Sequence, residues 1–424
     1  MSSGDSTFDV VIVGGGPVGA TLGALLRQTP SGRTPRVLLL ERALPAERAL
    51  SPERSRSPVD AASTPDLRVF ALSRASERIL RAIGGWEALA AEPASLAAYE
   101  RMHVWPMRGR PRGEGALNFD AAELGEPNLG HIVTNSALQR AALAAFESAG
   151  GCVQQGSLQG VEFLADRVRL QSSAGVVTAA LLVGADGGRS VVREQAGLGS
   201  ESEDYGQLAL VANVRSEQPH EHTAWQRFLG EGTLALLPLS SGESSIVWSL
   251  PRVRALELLA LPAEDFSAEL TAASDRVLGG LELVSERLQF PLRRTSALHY
   301  VRERCALVGD AAHSVHPLAG QGVNLGFLDA AALAETLAAG RAVGEDPGAL
   351  RLLRRYERWR KSENESLALA LSLLNRFLAF GDGELGRWAE QGMGWVGRSA
   401  ALRRPFAERA LGLSGELPQV ARRA

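Results

Sequence analysis

The chain has 424 residues, with 45 basic and 48 acidic side chains and a formal net charge of −3. This length favours two or more domains, and the balanced charge creates no field that would recruit nucleic acid. Its two cysteines provide neither a disulfide framework nor a metal site, which favours a cytoplasmic location. We find no signal peptide and no transmembrane segment.

A glycine-rich turn near the N-terminus follows a predicted strand at 8–13. The turn runs from Gly14 to Gly19 with the pattern G-x-G-x-x-G, and a helix of small residues follows at 20–27. A second apolar strand at 36–40 ends at Glu41. Strand, turn, helix, strand and acidic residue together predict a dinucleotide-binding βαβ unit.

Each residue of this unit has a physical role. Gly14 permits the tight turn, Gly16 allows the backbone to approach a pyrophosphate, and Gly19 allows the helix to pack on the strand. Glu41 is placed to accept a hydrogen bond from an adenosine ribose. The same glycine pattern at 392–397 follows no predicted strand, so we interpret it as a chance match.

A second candidate segment begins with a short apolar strand at 305–308. It ends in Gly309 and Asp310, and the turn Gly320–Gly322 then opens a predicted helix at 326–340. A carboxylate at the carboxyl end of a strand lies where α/β sheets bind ligands. A helix that starts after a glycine turn presents free N–H groups to negative charge. The segment therefore predicts half of a ligand site.

Other candidate residues allow two readings each. A predicted hairpin at 160–170 and 175–183 leads into Asp186, which is either a ligand carboxylate or part of an ordinary turn. Arg68 precedes a predicted helix at 72–83 and is either a solvated charge or a phosphate contact. Asn135 and Gln139 share a helix face, where cap and surface roles are the alternatives to ligand binding.

The middle of the chain predicts a second domain. Short apolar strands at 208–214, 233–238 and 245–250 have the spacing of an antiparallel sheet with one apolar face. Residues 262–285 are predicted to be helical, and 287–292 to return the chain to the first domain. A sheet beside a nucleotide domain forms a cleft for an organic substrate.

The C-terminal region is predicted to be helical. Asp346 and Pro347 are expected to cap a helix that extends to about residue 380, with a basic first half and an apolar second half. Contact with a membrane surface is one interpretation. A helix packed on its own protein with a solvated basic face is the favoured one.

Taken together, these motifs make the chain resemble the class A flavoprotein aromatic hydroxylases, over about residues 8–415. Within that group it is similar to the ubiquinone-biosynthesis hydroxylases. The local similarity lies in Arg68 with Ala71-Leu72-Ser73, Phe119-Asp120, Leu129-Gly130-His131-Ile132-Val133, Asp186-Gly187, Asp204-Tyr205, Pro219-His220, the segment 307–329 and Arg355-Tyr356-Glu357-Arg358. The stretches 230–239 and 245–250 most resemble the 2-polyprenylphenol hydroxylase branch. The chain departs from the family at Thr134, where glutamate is usual.

The resemblance implies an α/β fold like that of p-hydroxybenzoate hydroxylase. A Rossmann-like FAD-binding domain would comprise residues 1–95, 130–205 and 286–345. An inserted antiparallel-sheet substrate domain would comprise 96–129 and 206–285. A C-terminal helical region would comprise 346–424.

The resemblance also implies FAD as the cofactor and no metal. Asp310 would bind the ribityl chain, and the backbone N–H groups from Gly322 to Leu325 would face the isoalloxazine ring. The full set of expected FAD contacts is Gly14, Gly16, Pro17, Val18, Gly19, Glu41, Arg42, Arg68, Asn135, Gln139, Asp186, Gly309, Asp310, Gly320, Gly322, Val323, Asn324 and Leu325.

The implied activity is hydroxylation of the ring of a polyprenylated phenol in ubiquinone biosynthesis, through a flavin C4a-hydroperoxide. The reaction would consume O₂ and electrons from transiently bound NAD(P)H or another reductant. Pro317 and His316 would lie near the flavin, and no catalytic residue is assigned; His313 and His316 are more readily structural. The expected partners include other ubiquinone-biosynthesis proteins and peripheral contact with the inner membrane.

Two alternative functions remain open at this point. One is hydroxylation of a small soluble aromatic acid, which would need a buried arginine in the cleft. The other is a non-catalytic FAD scaffold in a biosynthetic complex.

Overall fold

The computed structural model describes residues 6–28, 33–43, 66–113, 116–230, 232–314, 321–378, 408, 412 and 414–423. The predictions made for His316, Pro317, Gly320 and the glycine pattern at 392–397 lie outside these residues.

The described strands are named in chain order. They are β1 (Ser6–Val13), β2 (Val37–Glu41), β3 (Val69–Ser73), β4 (Leu96–Tyr99), β5 (Arg101–Trp105), β6 (Leu117–Asp120), β7 (Gly130–Thr134), β8 (Cys152–Gln155), β9 (Leu158–Phe163), β10 (Val168–Ser172), β11 (Gly175–Gly184), β12 (Ser200–Ser216), β13 (Thr223–Leu229), β14 (Gly232–Pro238), β15 (Ser244–Pro251), β16 (Leu281–Leu283), β17 (Leu288–Ala297), β18 (Val301–Arg302), β19 (Cys305–Leu307) and β20 (His313–Ser314).

The described helices are named in the same way. They are α1 (Pro17–Arg27), α2 (Arg74–Ala82), α3 (Gly85–Ala90), α4 (Ala121–Leu124), α5 (Asn135–Ser148), α6 (Val191–Gln195), α7 (Arg252–Ala260), α8 (Ala263–Ala273), α9 (Gln321–Ala342) and α10 (Leu350–Leu378). Short 3₁₀ turns lie at Pro93–Ser95, Gly309–Ala311 and Gln419–Ala421.

The first sheet has the order β18-β19-β11-β1-β2-β8, and β10 and β9 extend from β11. The pairs β19–β11, β11–β1, β1–β2 and β2–β8 are parallel. Every residue of β2 is buried, as expected for a parallel strand covered on both faces. The carboxyl ends of β1, β11 and β19 therefore lie side by side, at the edge where such sheets bind ligands.

The second sheet has the order β20-β17-β12-β15-β14-β13-β5-β6, with β16 also paired to β12. One face packs on α7 and α8 through a core that includes Leu210, Trp248, Leu258 and Phe266. A third sheet, β3-β7-β4, is antiparallel. It packs against the other face of the second sheet, where Ala71 and Ile132 share a core with Ala224.

Several predicted elements were wrong in detail. The helix expected at 72–83 begins at Arg74, because β3 pairs with β7 and the Ser73 side chain caps α2 by accepting a hydrogen bond from the Ser76 N–H. The segment 160–170 contributes to two strands, β9 and β10, because the chain turns between Leu164 and Arg167. The turn is closed by a hydrogen bond of 2.9 Å from the Leu164 N–H to the Arg167 carbonyl.

The second domain also differs from its prediction. Helix α8 ends at Ala273, where Asp275 and Arg276 take positive φ angles, so 262–285 is only partly helical. Residues 287–292 do not return the chain to the first domain, because β17 pairs with β12 in the second sheet.

The C-terminal helix α10 packs on its own protein, as the favoured interpretation predicted. Its residues Leu352, Leu353 and Tyr356 are buried. Asp346 does not cap this helix; its carboxylate accepts from the Gly348 N–H and pairs with the buried Arg304. None of the described helices has the length and apolar character required to cross a membrane.

A buried ion cluster anchors α2 to the third sheet. Glu77 is 3% exposed, and its carboxylate contacts the guanidinium groups of Arg74 and Arg81 and lies 3.3 Å from Nδ1 of His131. Burial opposes ionisation, but the neighbouring His131, Arg74 and Arg81 lower the pKa of Glu77 to about 2.

This cluster predicts a pH-dependent stability. A carboxyl group whose pKa is lowered on folding contributes stability above its unfolded pKa, and that contribution is lost as the pH falls through the folded value. Glu77→Gln should therefore lower the free energy of unfolding by about 3 kcal/mol at pH 7. The deficit should shrink at pH 3.5, because the Glu77 carboxyl of the unfolded chain is largely protonated there while the folded one stays ionised. Urea unfolding at both pH values measures it.

Glu92→Gln is the matched control, because Glu92 forms an exposed ion pair with Arg140. Exposed pairs contribute about 0–1 kcal/mol. Equal deficits for Glu77→Gln at pH 7 and pH 3.5 would contradict the assignment.

Candidate active site

In the glycine turn after β1, neighbouring backbone leaves no room for a side chain at Gly14 or Gly19, whereas the space beside Gly16 is open. A Cβ atom at Gly14 would lie 2.3 Å from the carbonyl oxygen of Ala185, and one at Gly19 would lie 2.0 Å from that of Gly14. At Gly16 no atom lies within 4 Å of such a Cβ. Open space therefore adjoins the N-terminus of α1, whose first residue is Pro17, and this geometry suits a phosphate group.

Two buried polar side chains hold the middle of this turn. The carboxylate of Glu41 accepts from the Gly15 N–H, and also from the Ala43 N–H at 3.2 Å. Gln139 is 3% exposed and donates from Nε2 to the Gly15 carbonyl at 3.0 Å. Gln139 is therefore not a surface residue. The contact of Glu41 with a ribose stays a prediction, as does any contact of the exposed Arg42.

Arg68 faces the second sheet. Its guanidinium carbon lies 5.6 Å from the centroid of the Phe290 ring on β17. Its backbone carbonyl accepts from the Asn135 N–H at 2.8 Å, at the start of α5. Arg68 is partly buried, and its contact with a phosphate stays a prediction.

Asp310 lies in the turn that follows β19, where its solvent exposure beside surrounding protein indicates a crevice. Its side chain reaches solvent, yet desolvation by the surrounding protein raises its pKa, against the opposing charges of His313 and Arg68. A Cβ at Gly322 would lie 3.9 Å from Oδ1 of Asp310. The carboxylate therefore lies next to the first turn of α9, which starts at Gln321 rather than near residue 326.

Asp186 closes the turn after β11. Its carboxylate accepts from the Ser190 hydroxyl at 2.5 Å and from the Val192 N–H at 3.1 Å. In this structure the side chain stabilises the start of α6, in agreement with the turn interpretation. Arg193 then joins this turn to the next one, because its guanidinium donates to the carbonyls of Gly188 and Ala311 at 2.8 Å each.

The first two turns of α9 pack closely on β3 and α2. The Asn324 side chain is buried; its Oδ1 accepts from the Ser73 N–H at 2.9 Å and the Ser76 hydroxyl at 2.6 Å, and its Nδ2 donates to the Ala71 carbonyl at 2.8 Å. The side chains of Val323 and Leu325 are also buried. The side chain of Val18 lies within 3.3 Å of a Cβ placed at Gly309, so α1 also bears on this region.

The sequence analysis missed a buried network behind Asp310. Asp329 is fully buried, and its Oδ2 accepts from the Gly309 N–H at 3.1 Å and from Nε2 of His313 at 2.5 Å. Its Oδ1 accepts from Nε of Arg360 at 2.9 Å and from Nδ2 of Asn364 at 3.1 Å. Burial opposes ionisation of Asp329, but His313 and Arg360 lower its pKa to about 2.

Arg360 was therefore placed wrongly on a solvated basic face, since it is 2% exposed. A signal was present in the sequence. Leu353, Tyr356, Arg360 and Asn364 recur at helical spacing on one stripe of α10, and a stripe that begins with apolar residues predicts that its polar members are also buried.

Nine positions in the middle of the second sheet, on the face turned away from α7 and α8, carry uncharged side chains. Register and alternation assign these inward positions on β12, β14 and β15. They are Ala209, Val211, Asn213, Thr233, Ala235, Leu237, Ser245, Val247 and Ser249.

These features fit a flavin dinucleotide. The open N-terminus of α1 suits the pyrophosphate, and the carboxylate of Asp310 lies beside the first turn of α9. The sequence comparisons agree, because a family model described as an FAD binding domain matches residues 64–368.

Full-length relatives narrow the family. The chain is 35% identical over 432 residues to ubiquinone hydroxylase UbiL of Rhodospirillum rubrum, covering 99% of this chain and 94% of that protein. It is 34% identical to 3-demethoxyubiquinol 3-hydroxylase of Escherichia coli, covering 96% and 98%. It is 32% identical to human ubiquinone biosynthesis monooxygenase COQ6, mitochondrial, covering 88% and 86%.

Solved structures show the fold. One is p-nitrophenol 4-monooxygenase PnpA from Pseudomonas putida, with a TM-score of 0.72 at 18% identity, covering 96% of this chain and 98% of that one. Another is Klebsiella pneumoniae HpxO complexed with FAD and uric acid, with a TM-score of 0.70 at 17% identity, covering 97% and 98%.

The predicted fold class, cofactor and enzyme class are thus confirmed: the fold is that of the p-hydroxybenzoate hydroxylase group, the cofactor is FAD, and the enzyme is an aromatic-ring monooxygenase. The chain belongs to the class A FAD-dependent hydroxylases of ubiquinone biosynthesis.

Proposed function

We propose that this enzyme hydroxylates the ring of a polyprenylated phenol, in the manner of the 2-polyprenylphenol hydroxylase branch. The nine uncharged inward positions in the middle of the second sheet are the observation that carries this proposal. An aromatic acid would need a cationic partner when desolvated, whereas a polyprenyl tail needs apolar surface. The half-buried Ala235 and Val247 lie beside Val211 on this face and supply such surface.

The FAD contacts form the second part of the proposal. The pyrophosphate binds beside Gly16 at the start of α1, Glu41 binds the ribose, and Asp310 accepts hydrogen bonds from the ribityl hydroxyls. Because α9 begins at Gln321, the N–H groups of Gly322 and Val323 lack acceptors within the helix. These two groups are therefore better placed to face the isoalloxazine than those of Asn324 and Leu325.

Bound FAD supplies the redox chemistry with O₂, and the protein supplies position, dryness and charge. The N-terminus of α9 stabilises negative charge beside the ring. Arg68 contributes a positive charge near Asp310 and packs on Phe290. Val211, Ala235 and Val247 on the second sheet supply apolar surface that excludes water from the substrate.

The reductant is proposed to be transiently bound NAD(P)H or another electron donor, since the described residues contain one nucleotide-binding βαβ unit. Peripheral contact with a membrane or with other biosynthetic proteins stays a prediction. Arg354 and Arg358 on α10 are exposed, whereas Arg351 and Arg355 pair with Glu345.

Asp310→Ala should weaken FAD binding by about 10-fold or more, because a hydrogen bond to a charged group contributes about 1.5–3 kcal/mol. Flavin absorbance after dialysis and an FAD titration of apoprotein measure the effect. Asp166→Ala is the control, since Asp166 is exposed and pairs with its neighbour Arg167. Full flavin occupancy in dialysed Asp310→Ala would refute the proposed contact.

Val247→Arg should lower kcat/KM for a polyprenylphenol by about 10-fold or more while FAD binding persists, because it places a charge on the apolar substrate face. Val253→Arg is the matched control, since Val253 is 72% exposed. Steady-state assays with purified holoenzyme measure both variants. Unchanged kcat/KM in Val247→Arg would place the substrate elsewhere.

Deletion of the gene in its native host should cause 2-polyprenylphenol to accumulate, because the proposed reaction consumes it. Quinone-intermediate profiling by mass spectrometry, with and without a plasmid copy, checks this. Accumulation of a methoxylated intermediate would assign the enzyme to a later hydroxylation instead.

A further inference from the structure

The Gly309–Asp310 turn is held from behind by one carboxylate. The Gly309 N–H donates to Oδ2 of Asp329 at 3.1 Å, and Gly309 itself has a positive φ of 59°. The residue directly after it is Asp310, whose carboxylate lines the crevice. The conformation that presents Asp310 therefore depends on an acceptor located in the middle of α9.

That acceptor needs a cation, because an isolated buried carboxylate is strongly disfavoured. Arg360 supplies the cation from α10, with its Nε at 2.9 Å from Oδ1 of Asp329. Its Nη2 also donates to Oδ1 of Asn364 at 2.8 Å. Asp329 and Arg360 are both almost fully buried, so water cannot replace either side chain.

Helix α10 also contacts the segment that leads into the turn. The hydroxyl of Tyr356 donates to the Leu307 carbonyl at 2.7 Å, and Glu357 accepts from the Tyr300 N–H at 2.8 Å. With Arg360, these contacts extend along successive turns of the helix. A displacement of α10 would therefore also displace β19 and the turn that follows it.

His313 is the third group on the same carboxylate. Because a carboxylate only accepts, Nε2 of His313 carries the hydrogen in this contact. The backbone of His313 pairs with Ser296 of β17, and its ring stacks on Tyr300 at 5.8 Å. Asp329 thus joins the turn, the second sheet and α10 at one point.

We propose that Asp329 and Arg360 are positioning residues for the flavin, which set the Gly309–Asp310 turn and couple FAD binding to the seating of α10. Neither residue needs to contact the cofactor. The proposal rests on the proposed role of this turn in holding FAD. It goes beyond that role in assigning a function to a pair of residues outside the crevice.

The chemistry of an amide shows why the charge matters. All four groups around Asp329 donate hydrogen bonds. An asparagine at position 329 would offer one acceptor oxygen and one NH₂ donor group. Some of the groups that now donate to Asp329 would then face a donor instead of an acceptor. If the Gly309 N–H is one of them, the Gly309–Asp310 turn loses its hydrogen bond to this side chain.

The test compares FAD affinity with stability. For each variant, FAD titration gives the Kd, and thermal unfolding with and without FAD gives the stabilisation by the cofactor. Substitution of a merely structural residue lowers the melting temperatures with and without FAD equally and leaves the Kd unchanged. Substitution of a positioning residue raises the Kd and reduces the difference between the two melting temperatures.

Asp329→Asn should weaken FAD binding by about 10-fold or more. Arg360→Lys, which keeps the charge but not the planar donor geometry, should lose less affinity than Arg360→Gln. The double variant Asp329→Asn/Arg360→Gln contains no unpaired buried charge. Its apoprotein should be more stable than Arg360→Gln apoprotein, yet its FAD affinity should stay as low as that of Asp329→Asn.

Arg358→Gln is the matched control, because Arg358 is exposed on the same helix. Wild-type FAD affinity in folded Asp329→Asn would overturn the proposal. If Asp329→Asn does not fold, equal FAD affinities for Arg360→Lys, Arg360→Gln and wild type would overturn it. If Asp310→Ala keeps its flavin while Asp329→Asn loses it, the contact proposed for Asp310 fails and the positioning role stands.

Discussion

One buried carboxylate joins the elements that surround the proposed FAD site. Asp329 has no exposed surface and receives hydrogen bonds from a backbone N–H, an imidazole, a guanidinium and an amide. Burial alone would favour its neutral form, yet His313 and Arg360 lower its pKa to about 2. Because removing one partner of a buried pair leaves an uncompensated charge, the three elements that supply these donors are constrained to remain together.

The sheet places the rest of the site around that point. The parallel strands β1, β11 and β19 are neighbours, so the turns at Gly14, Asp186 and Gly309 lie together at the carboxyl edge of the first sheet. Arg193 ties the second turn to the third, and Val18 on α1 packs against Gly309. The turns at Gly14 and Gly309, which are proposed to hold the two ends of FAD, are thereby fixed relative to one another.

Sequence reasoning predicted the parts of the site whose chemistry is local. The spacing from Gly14 to Gly19 and the position of Asp310 at a strand end carry their physical reasons within a few residues. Gln139, Asn324 and Arg360 were harder to interpret, because each is buried only through partners that lie far away in the chain. The start of α2 was misplaced for a similar reason: Ser73 belongs to a strand only because β7 pairs with β3.

Hydrogen–deuterium exchange of the apoprotein, with and without added FAD, tests the central claim most directly. If Asp329 and Arg360 couple the flavin turn to α10, FAD should slow exchange at Gly309–Ala312 and also at 356–364, although the second segment does not line the crevice. Protection that is confined to the turn and the start of α9, with unchanged exchange at 356–364, would contradict the coupling.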